Sequence, residues 1–242
     1  MRFLTIDIET SPHLVEVWSL RQDYIDPSNI VRPMSVLSFA AKWLDGPKVE
    51  FRSSREGGMV ERAWELLNEA DAVIHYNGRR FDVPHLNTQF VQAGLVPPAS
   101  YWQIDLLKEV RKQFNFASNR LSEVVKSLDL GEKMKHDSKL QSRCVAGEES
   151  AWAELRSYNI RDVEITERLY LEVRPWIRGH PNLALASEGA ACPRCGSENL
   201  RPEGSAYTRA SEYGQYRCLD CGSLSRNTRR TSGATVVDAV GQ

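Results

Sequence analysis

Two hydrophobic periods run along this chain, one of about two residues and one of about 3.6, and the predicted elements follow from them. Phe3-Leu4-Thr5-Ile6-Asp7-Ile8-Glu9-Thr10 reads as a strand, with Phe3, Leu4, Ile6 and Ile8 as its apolar content. His13 to Leu20 is a second candidate strand, carrying Leu14, Val15, Val17, Trp18 and Leu20, and Asp23 to Pro33 is a polar, Pro-bounded loop. Met34 to Trp43 and, after an Asp45-Gly46-Pro47 turn, Lys48 to Phe51 give a third and a fourth strand. Met59 to Ala70 has helical spacing, with Val60, Ala63, Trp64, Leu67 and Ala70 on one face, and Asp71 to His75 is a short apolar strand. Phe81 to Ala93 reads as a helix. Pro84 fits only its first turn, which puts Asp82 at or just before the helix start. Trp102 to Leu106 is a short strand running into a helix to about Gln113. Another helix opens at Asn119, with Leu121, Val124, Val125 and Leu128 on its apolar side. Gly131 to Arg143 is polar and reads as a loop or lid. Ser150 to about Val173 is the longest helix, ended by Pro175 and Gly179-His180-Pro181. Strands first, then strands alternating with helices, predict an α/β layer with a mixed sheet flanked by helices.

Four acids interrupt these patterns. Asp7 and Glu9 are two apart on a strand and project to one face. Buried carboxylates are paired or bind metal, and no Lys or Arg lies between Arg2 and Arg21 to pair with them locally. A strand fraying into solvent at Asp7 is the plainer reading. Asp82 stands where a strand end meets a helix start, a favoured place for sites in α/β sheets, although Asp is also a common N-cap. Asp162 sits in the middle of a stripe formed by Trp152, Leu155, Asn159, Thr166, Leu169 and Val173, with Tyr158 one turn before it. A buried Asp paired with Arg161 or Arg168 accounts for it equally simply.

The chain has 242 residues, 41% hydrophobic and 26% charged, with a net charge of −1. These values suit a soluble globular protein, and a polyanionic partner would have to be met by local patches or bound cations. No apolar run approaches the roughly 18 residues of a membrane span, and the N-terminus enters a strand without a signal-peptide pattern. A cytoplasmic, reducing location is therefore the expectation. Five cysteines are present. Cys192, Cys195, Cys218 and Cys221 form two Cys-x-x-Cys pairs, each followed by Gly. In a reducing compartment this spacing predicts one structural Zn²⁺ in a zinc ribbon, because so small a unit buries too little apolar area to fold alone. Cys144 has no assigned role. Tyr207, Tyr213 and Tyr216 interleave with Arg209 and Arg217, with Arg226, Arg229 and Arg230 following, a composition suited to single-stranded nucleic acid. Docking on the rest of the chain or on a protein partner is the alternative.

Asp7-x-Glu9, then Asn77-x-x-x-Phe81-Asp82, then Tyr158-x-x-x-Asp162 resemble the three exonuclease motifs of the DEDD superfamily. The tyrosine before the last aspartate is similar to the DEDDy branch; the DEDDh branch would have His where this chain has Ser157. The resemblance covers roughly residues 1–175 and implies an RNase H-like fold. It further implies 3′→5′ phosphodiester hydrolysis with two Mg²⁺ or Mn²⁺ ions and release of nucleoside 5′-monophosphates. On it, Asp7 bridges both ions, Glu9 and Asp162 complete one site, and Asp82 holds the second ion, partly through water. Tyr158 orients the attacking water, and Asn77 and Phe81 hold the terminal nucleotide. Asp105-Leu106 loosely fits a further family pair, which makes Asp105 a supporting or substrate-side acid. The expected organisation is a nuclease domain over 1–178, a linker over 179–189, a zinc ribbon over 190–230 and a disordered tail over 231–242, in which Thr235-Val236-Val237 could pair as an edge strand. DNA is favoured over RNA, with a replication or repair protein as the possible partner. The segment with Lys133, Lys135, His136 and Lys139 is a candidate phosphate-contacting flap. An endonuclease on the same fold and a catalytically idle nucleic-acid-binding scaffold are the rival functions.

Overall fold

The computed structural model describes residues 1–44, 46–134 and 137–237. Part of the Asp45-Gly46-Pro47 turn, and Lys135 and His136 of the candidate flap, lie outside them. The chain divides into two compact units, Arg2–Tyr170 and Leu171–Gln242, the latter with Met1.

The first unit is built on a five-stranded sheet. In chain order its elements begin with β1 (Phe3–Thr10), β2 (Leu14–Val15), β3 (Ile30–Arg32), β4 (Val36–Trp43) and β5 (Glu50–Ser53). There follow α1 (Met59–Glu69), β6 (Ala72–His75), α2 (Asp82–Gln92), β7 (Trp102–Asp105) and α3 (Leu106–Gln113). α4 (Leu121–Ser127), α5 (Leu140–Val145) and α6 (Glu149–Val173) complete it, the last running on into the second unit. The strand order is β5-β4-β1-β6-β7. β4 lies antiparallel to β1 and β5, whereas β6 lies parallel to β1 and β7. This is the mixed sheet flanked by helices that the sequence predicts.

β1 is central, and its two faces have different tasks. Leu4, Ile6 and Ile8 pack with Phe39 and Ala41 of β4 against Ala63, Leu66 and Leu67 of α1 and Leu86 and Phe90 of α2. Each buried Leu, Ile or Phe among them contributes about 1.5–3 kcal/mol through burial. Phe3, Thr5, Asp7 and Glu9 occupy the other face, where the Phe3 and Tyr170 rings lie 6.2 Å apart. The stripe on α6 is buried at Leu155, Asn159, Asp162, Thr166, Leu169 and Val173. β1 pairs with β6 only from Phe3 to Thr5, so Asp7 and Glu9 extend past the carboxyl end of β6, into the space that α6 closes.

Three expectations fail locally, the first being the loop over Asp23 to Pro33, which contains β3. The strand expected over His13 to Leu20 is only β2, paired with β3. Trp18 and Leu20 beyond it are fully exposed, since no neighbouring strand or core covers them. The segment expected to be a loop from Gly131 to Arg143 contains the start of α5, whose Leu140 and Cys144 are buried beside Leu37 and Leu155. Two apolar anchors four residues apart suffice to fold a short helix onto the core. Burial pushes the Cys144 thiol up to about 11, which marks it as an inert core group.

The second unit holds β8 (Leu200–Tyr207), β9 (Ser211–Cys218), β10 (Leu224–Arg226) and β11 (Ser232–Gly233), all antiparallel to β9. The edge strand of the tail is thus Ser232–Gly233, not Thr235 to Val237. Residues 238–242 of the expected disordered tail lie outside the described residues.

Candidate active site and metal centres

Acids far apart in the chain meet at the carboxyl end of β1. One carboxylate oxygen from each of Asp7, Glu9 and Asp162 lies within 4.8 Å of the others. Asp82 stands apart from this group but lines the same cleft of about 410 Å³, together with Asn77 and Phe81. Its Oδ1 accepts a hydrogen bond from the Ile8 amide at 3.0 Å, tying the first residue of α2 to β1. Asp82 is therefore not the helix N-cap, a position that Phe81 fills without a side-chain hydrogen bond. Tyr158 borders an adjoining hollow with Asp7, Lys133 and Asp162.

Side chains outside the predicted site hold these acids in place. Asn159 Nδ2 donates to Asp7 Oδ2 at 2.7 Å, and Ser38 Oγ on β4 donates to Asn159 Oδ1 at 3.0 Å. This chain fixes the rotamer of Asp7 from both α6 and β4. A buried Asn three residues before Asp162 was a readable signal; Ser38 carried none. Gln141 of α5 donates to Glu9 Oε2 at 2.8 Å. Among the described residues, Lys133 is the cation that meets Asp162, with Nζ 2.6 Å from Oδ2 and 4.9 Å from the centre of the Tyr158 ring. It is neither Arg161, which donates to the Glu132 carbonyl and to Glu164, nor Arg168, which donates to the Leu130 carbonyl. Both arginines lie at the edge of the α6 stripe and so serve the neighbouring loop. Asn159→Ala is expected to lower turnover about 10–100-fold while leaving substrate KM near wild type, as steady-state kinetics on a labelled oligonucleotide would register.

The turn after β6 is built by side chains as well. Asp105 Oδ1 accepts from the Asn77 amide at 3.0 Å, and His75 Nδ1 accepts from the Gly78 amide at 3.1 Å. Asn77 adopts a left-handed φ of 70°. A Cβ on Gly78 would lie 2.5 Å from His75 Cγ, so only glycine fits there. Asp105 also caps α3 through the Lys108 amide, and its contacts support the loop that carries Asn77 and Phe81. The Phe81 ring lies edge-on to His85 at 4.6 Å and is 36% exposed, open to a planar ligand from the cleft.

Charge is concentrated here at a cost. Burial, then the neighbouring Asp82, Asp162 and Glu9, hold the Asp7 carboxyl well above its ordinary range. Burial raises Glu9 to about 7 despite the Gln141 hydrogen bond, and raises Asp82 to about 7 despite the Ile8 amide. Burial and Asp162 raise the Tyr158 phenol to about 12. An all-oxygen donor set of crowded, proton-hungry carboxylates fits hard divalent cations such as Mg²⁺ or Mn²⁺. The folded state binds these protons more tightly than the unfolded chain, so the metal-free protein loses stability as pH rises from about 4.5 to about 7. Added Mg²⁺ or Mn²⁺ is expected to raise Tm more at pH 8 than at pH 5, measured by scanning fluorimetry; an equal rise at both would contradict the assignment.

The four cysteines of the second unit form a separate group with Sγ atoms within 4.8 Å. Cys192 and Cys221 lie 3.6 Å apart, as do Cys195 and Cys218. That is far beyond a disulfide bond and close to the edge of about 3.8 Å of a tetrahedron with metal–sulfur bonds of about 2.3 Å. The two loops repeat one design. Gly196 and Gly222, at φ 78° and 77°, donate to the Cys192 and Cys218 carbonyls, while Cys192 and Cys218 donate to the Ser197 and Ser223 carbonyls. Burial opposes the Cys192 thiolate, but hydrogen bonds from Ser223 and nearby amides bring the thiol down to about 7. The donor set and spacing fit Zn²⁺.

A family model described as the RNase_H superfamily matches residues 39–174, more than half of the chain. The chain belongs to the RNase H superfamily. Asp82, Tyr158 and Asp162 fall within the match, and Asp7 and Glu9 precede it. No curated protein matches this superfamily member. Its fold is similar to that of the family B DNA polymerase from the hyperthermophilic archaeon Pyrobaculum calidifontis, with TM-score 0.54 and 18% identity. The similarity covers 89% of this chain and 33% of the polymerase chain, so this RNase H superfamily chain spans about a third of that length. Superfamily membership supports a nucleic-acid-cleaving function; the polymerase likeness, at 18% identity, is one of fold. No described helix is long and apolar enough to cross a membrane.

Proposed function

We propose that the chain is a DEDDy-type, metal-dependent 3′→5′ exonuclease that removes nucleoside 5′-monophosphates from a DNA 3′ end. The observation that carries this reading is the convergence of Asp7, Glu9 and Asp162 within 4.8 Å, with Tyr158 one turn before Asp162. Asp7, Glu9 and Asp162 would hold one Mg²⁺ or Mn²⁺, and Asp7 with Asp82 a second. When bound, such a pair activates water and neutralises the leaving oxygen.

The protein's own groups do the rest. Tyr158, neutral at physiological pH because its phenol stands near 12, orients the attacking water by hydrogen bonding and does not act as a base. Phe81 stacks on the terminal base, and Asn77 holds its sugar or phosphate from the turn that Asp105 supports. Asn159 and Gln141 keep Asp7 and Glu9 in their working rotamers. Residues 1–178 are the proposed nuclease domain, 179–189 a linker and 190–230 a zinc ribbon with one structural Zn²⁺. The proposed substrate is DNA rather than RNA and the proposed partner a replication or repair protein; a cytoplasmic location accords with the thiol cluster.

Matched 3′- and 5′-labelled DNA and RNA oligonucleotides, incubated with Mg²⁺, Mn²⁺ or EDTA, test this. Stepwise loss from the 3′ end of DNA is the expected result. Internal fragments would point to an endonuclease, and no metal-dependent cleavage at all would leave only a binding scaffold.

A further inference from the structure

The cysteine-bearing unit carries an aromatic and cationic surface that the carboxylate site does not use. Alternation along β9 puts Tyr213, Gln215 and Arg217 on one face. Strand pairing sets Arg201 and Leu224 beside Arg217, and Arg226 beside Gln215. The Arg226 guanidinium lies 3.8 Å from the centre of the Tyr213 ring, a cation–π stack that leaves Arg226 exposed. The acid among these side chains is Glu203, held by Arg217 at 2.5 Å and Arg201 at 3.2 Å. Three guanidinium groups against one carboxylate make this face positive, although the residues from Glu188 onward carry seven Arg against six acids. The face continues into a cleft of about 640 Å³ lined in part by Trp176, Arg174, Arg217 and Leu224, with the acids Glu172 and Asp220 also on its wall. Trp176 is 60% exposed and Leu224 47% exposed.

Every cation on this face is an arginine, whose planar head both stacks on rings and binds phosphate. The aromatic groups are separated by guanidinium groups and do not form one apolar patch, which suits alternating bases and phosphates better than the continuous stripe of an amphipathic helix. We propose that this face is a track for single-stranded nucleic acid. Bases stack on Trp176 and on the Tyr213–Arg226 pair, and Arg201 and Arg226 meet the backbone. The track would hold a strand independently of the hydrolytic cleft. The choice of occupant rests on the nucleic-acid reading of the first unit, and the test separates the two.

The full chain carrying Asp7→Asn, to stop cleavage, is titrated against fluorescein-labelled oligothymidylate over a salt series, with Trp176→Ala and Arg226→Glu added one at a time. Unchanged zinc content and circular dichroism establish that the variants are folded. Each is expected to weaken binding at least about fivefold. Arg226→Glu should also flatten the plot of log affinity against log salt by about 0.7 or more. Affinity and salt slope unchanged in both variants would overturn the track and leave the surface to a protein partner. Equal loss of binding to a blunt duplex would overturn the stacking on bases. Degradation of labelled oligonucleotides by the wild-type chain is scored separately. A cleaving enzyme with insensitive variants rejects the track alone, and variant-sensitive binding without cleavage under any metal rejects the hydrolase reading alone.

Discussion

Asp7→Asn is expected to lose more than about 100-fold in nuclease turnover while becoming more stable than the wild-type metal-free protein at pH 8. The substitution keeps the shape of the side chain and an oxygen to accept from Asn159, which donates to it at 2.7 Å. It removes one negative charge from a cluster in which burial and three neighbouring carboxylates already hold Asp7 well above its ordinary pKa. Without a divalent cation that charge opposes folding, so the variant's Tm should rise at pH 8 and little at pH 5. With Mg²⁺ or Mn²⁺ the order should reverse, because the variant forfeits one carboxylate of the Asp7, Glu9 and Asp162 cluster that would hold the cation. Turnover assays and thermal scans with and without metal check both halves. A variant that retains near-normal metal-dependent cleavage would remove Asp7 from the site.

Emptying the proposed zinc site of the cysteine cluster should have the second largest effect, confined to its own part of the chain. Cys192 and Cys218 are fully buried, and the second unit surrounds them with short antiparallel strands whose side chains are mostly half-exposed. Structural zinc in such a setting supplies about 10–16 kcal/mol of apparent binding free energy, more than a unit of this size gains from its core. Cys218→Ser, or stripping with a strong chelator and a thiol reagent, is expected to abolish amide-exchange protection over residues 190–230. Amides of Leu4 and Val73, in a separate core, should stay protected. Retained protection in β8 and β9 of a zinc-free protein would show that the ribbon folds without metal.

The elements of the first unit were legible in the sequence wherever burial is one-sided. The β1 alternation and the α6 stripe each have one face that must avoid water, and that requirement prints a period on the residues. Where a segment has no partner the print misleads: Val17, Trp18 and Leu20 alternate like a strand, yet no sheet edge reaches them. α5 escaped notice for the opposite reason, since its two anchors, Leu140 and Cys144, are too few to rise above a charged background. Spacing and element type singled out the acids Asp7, Glu9, Asp82 and Asp162, and the resemblance to the exonuclease motifs joined them into one site. Their supports were not legible in this way: Ser38 and Gln141 are ordinary polar residues until the fold brings them to a carboxylate, and Lys133, expected on a phosphate-contacting flap, meets Asp162 instead.

The sequence alone determined which groups this chain has available: four carboxylates at strand and helix positions where charge is costly, a tyrosine one turn before the last, and four thiols in two knuckles. Those are local facts, dictated by side-chain chemistry and by the periods of helix and strand. Tertiary structure alone decided that Asp7, Glu9 and Asp162 share one ligand cluster while Asp82 is tied to the Ile8 amide. It also decided that Lys133 pairs with Asp162, and that Arg226 stacks on Tyr213. The reason is physical. Convergence depends on how far β1 outruns β6 and on which face of the sheet α6 covers, and both are set by the packing of the whole core rather than by any residue's neighbours in the chain.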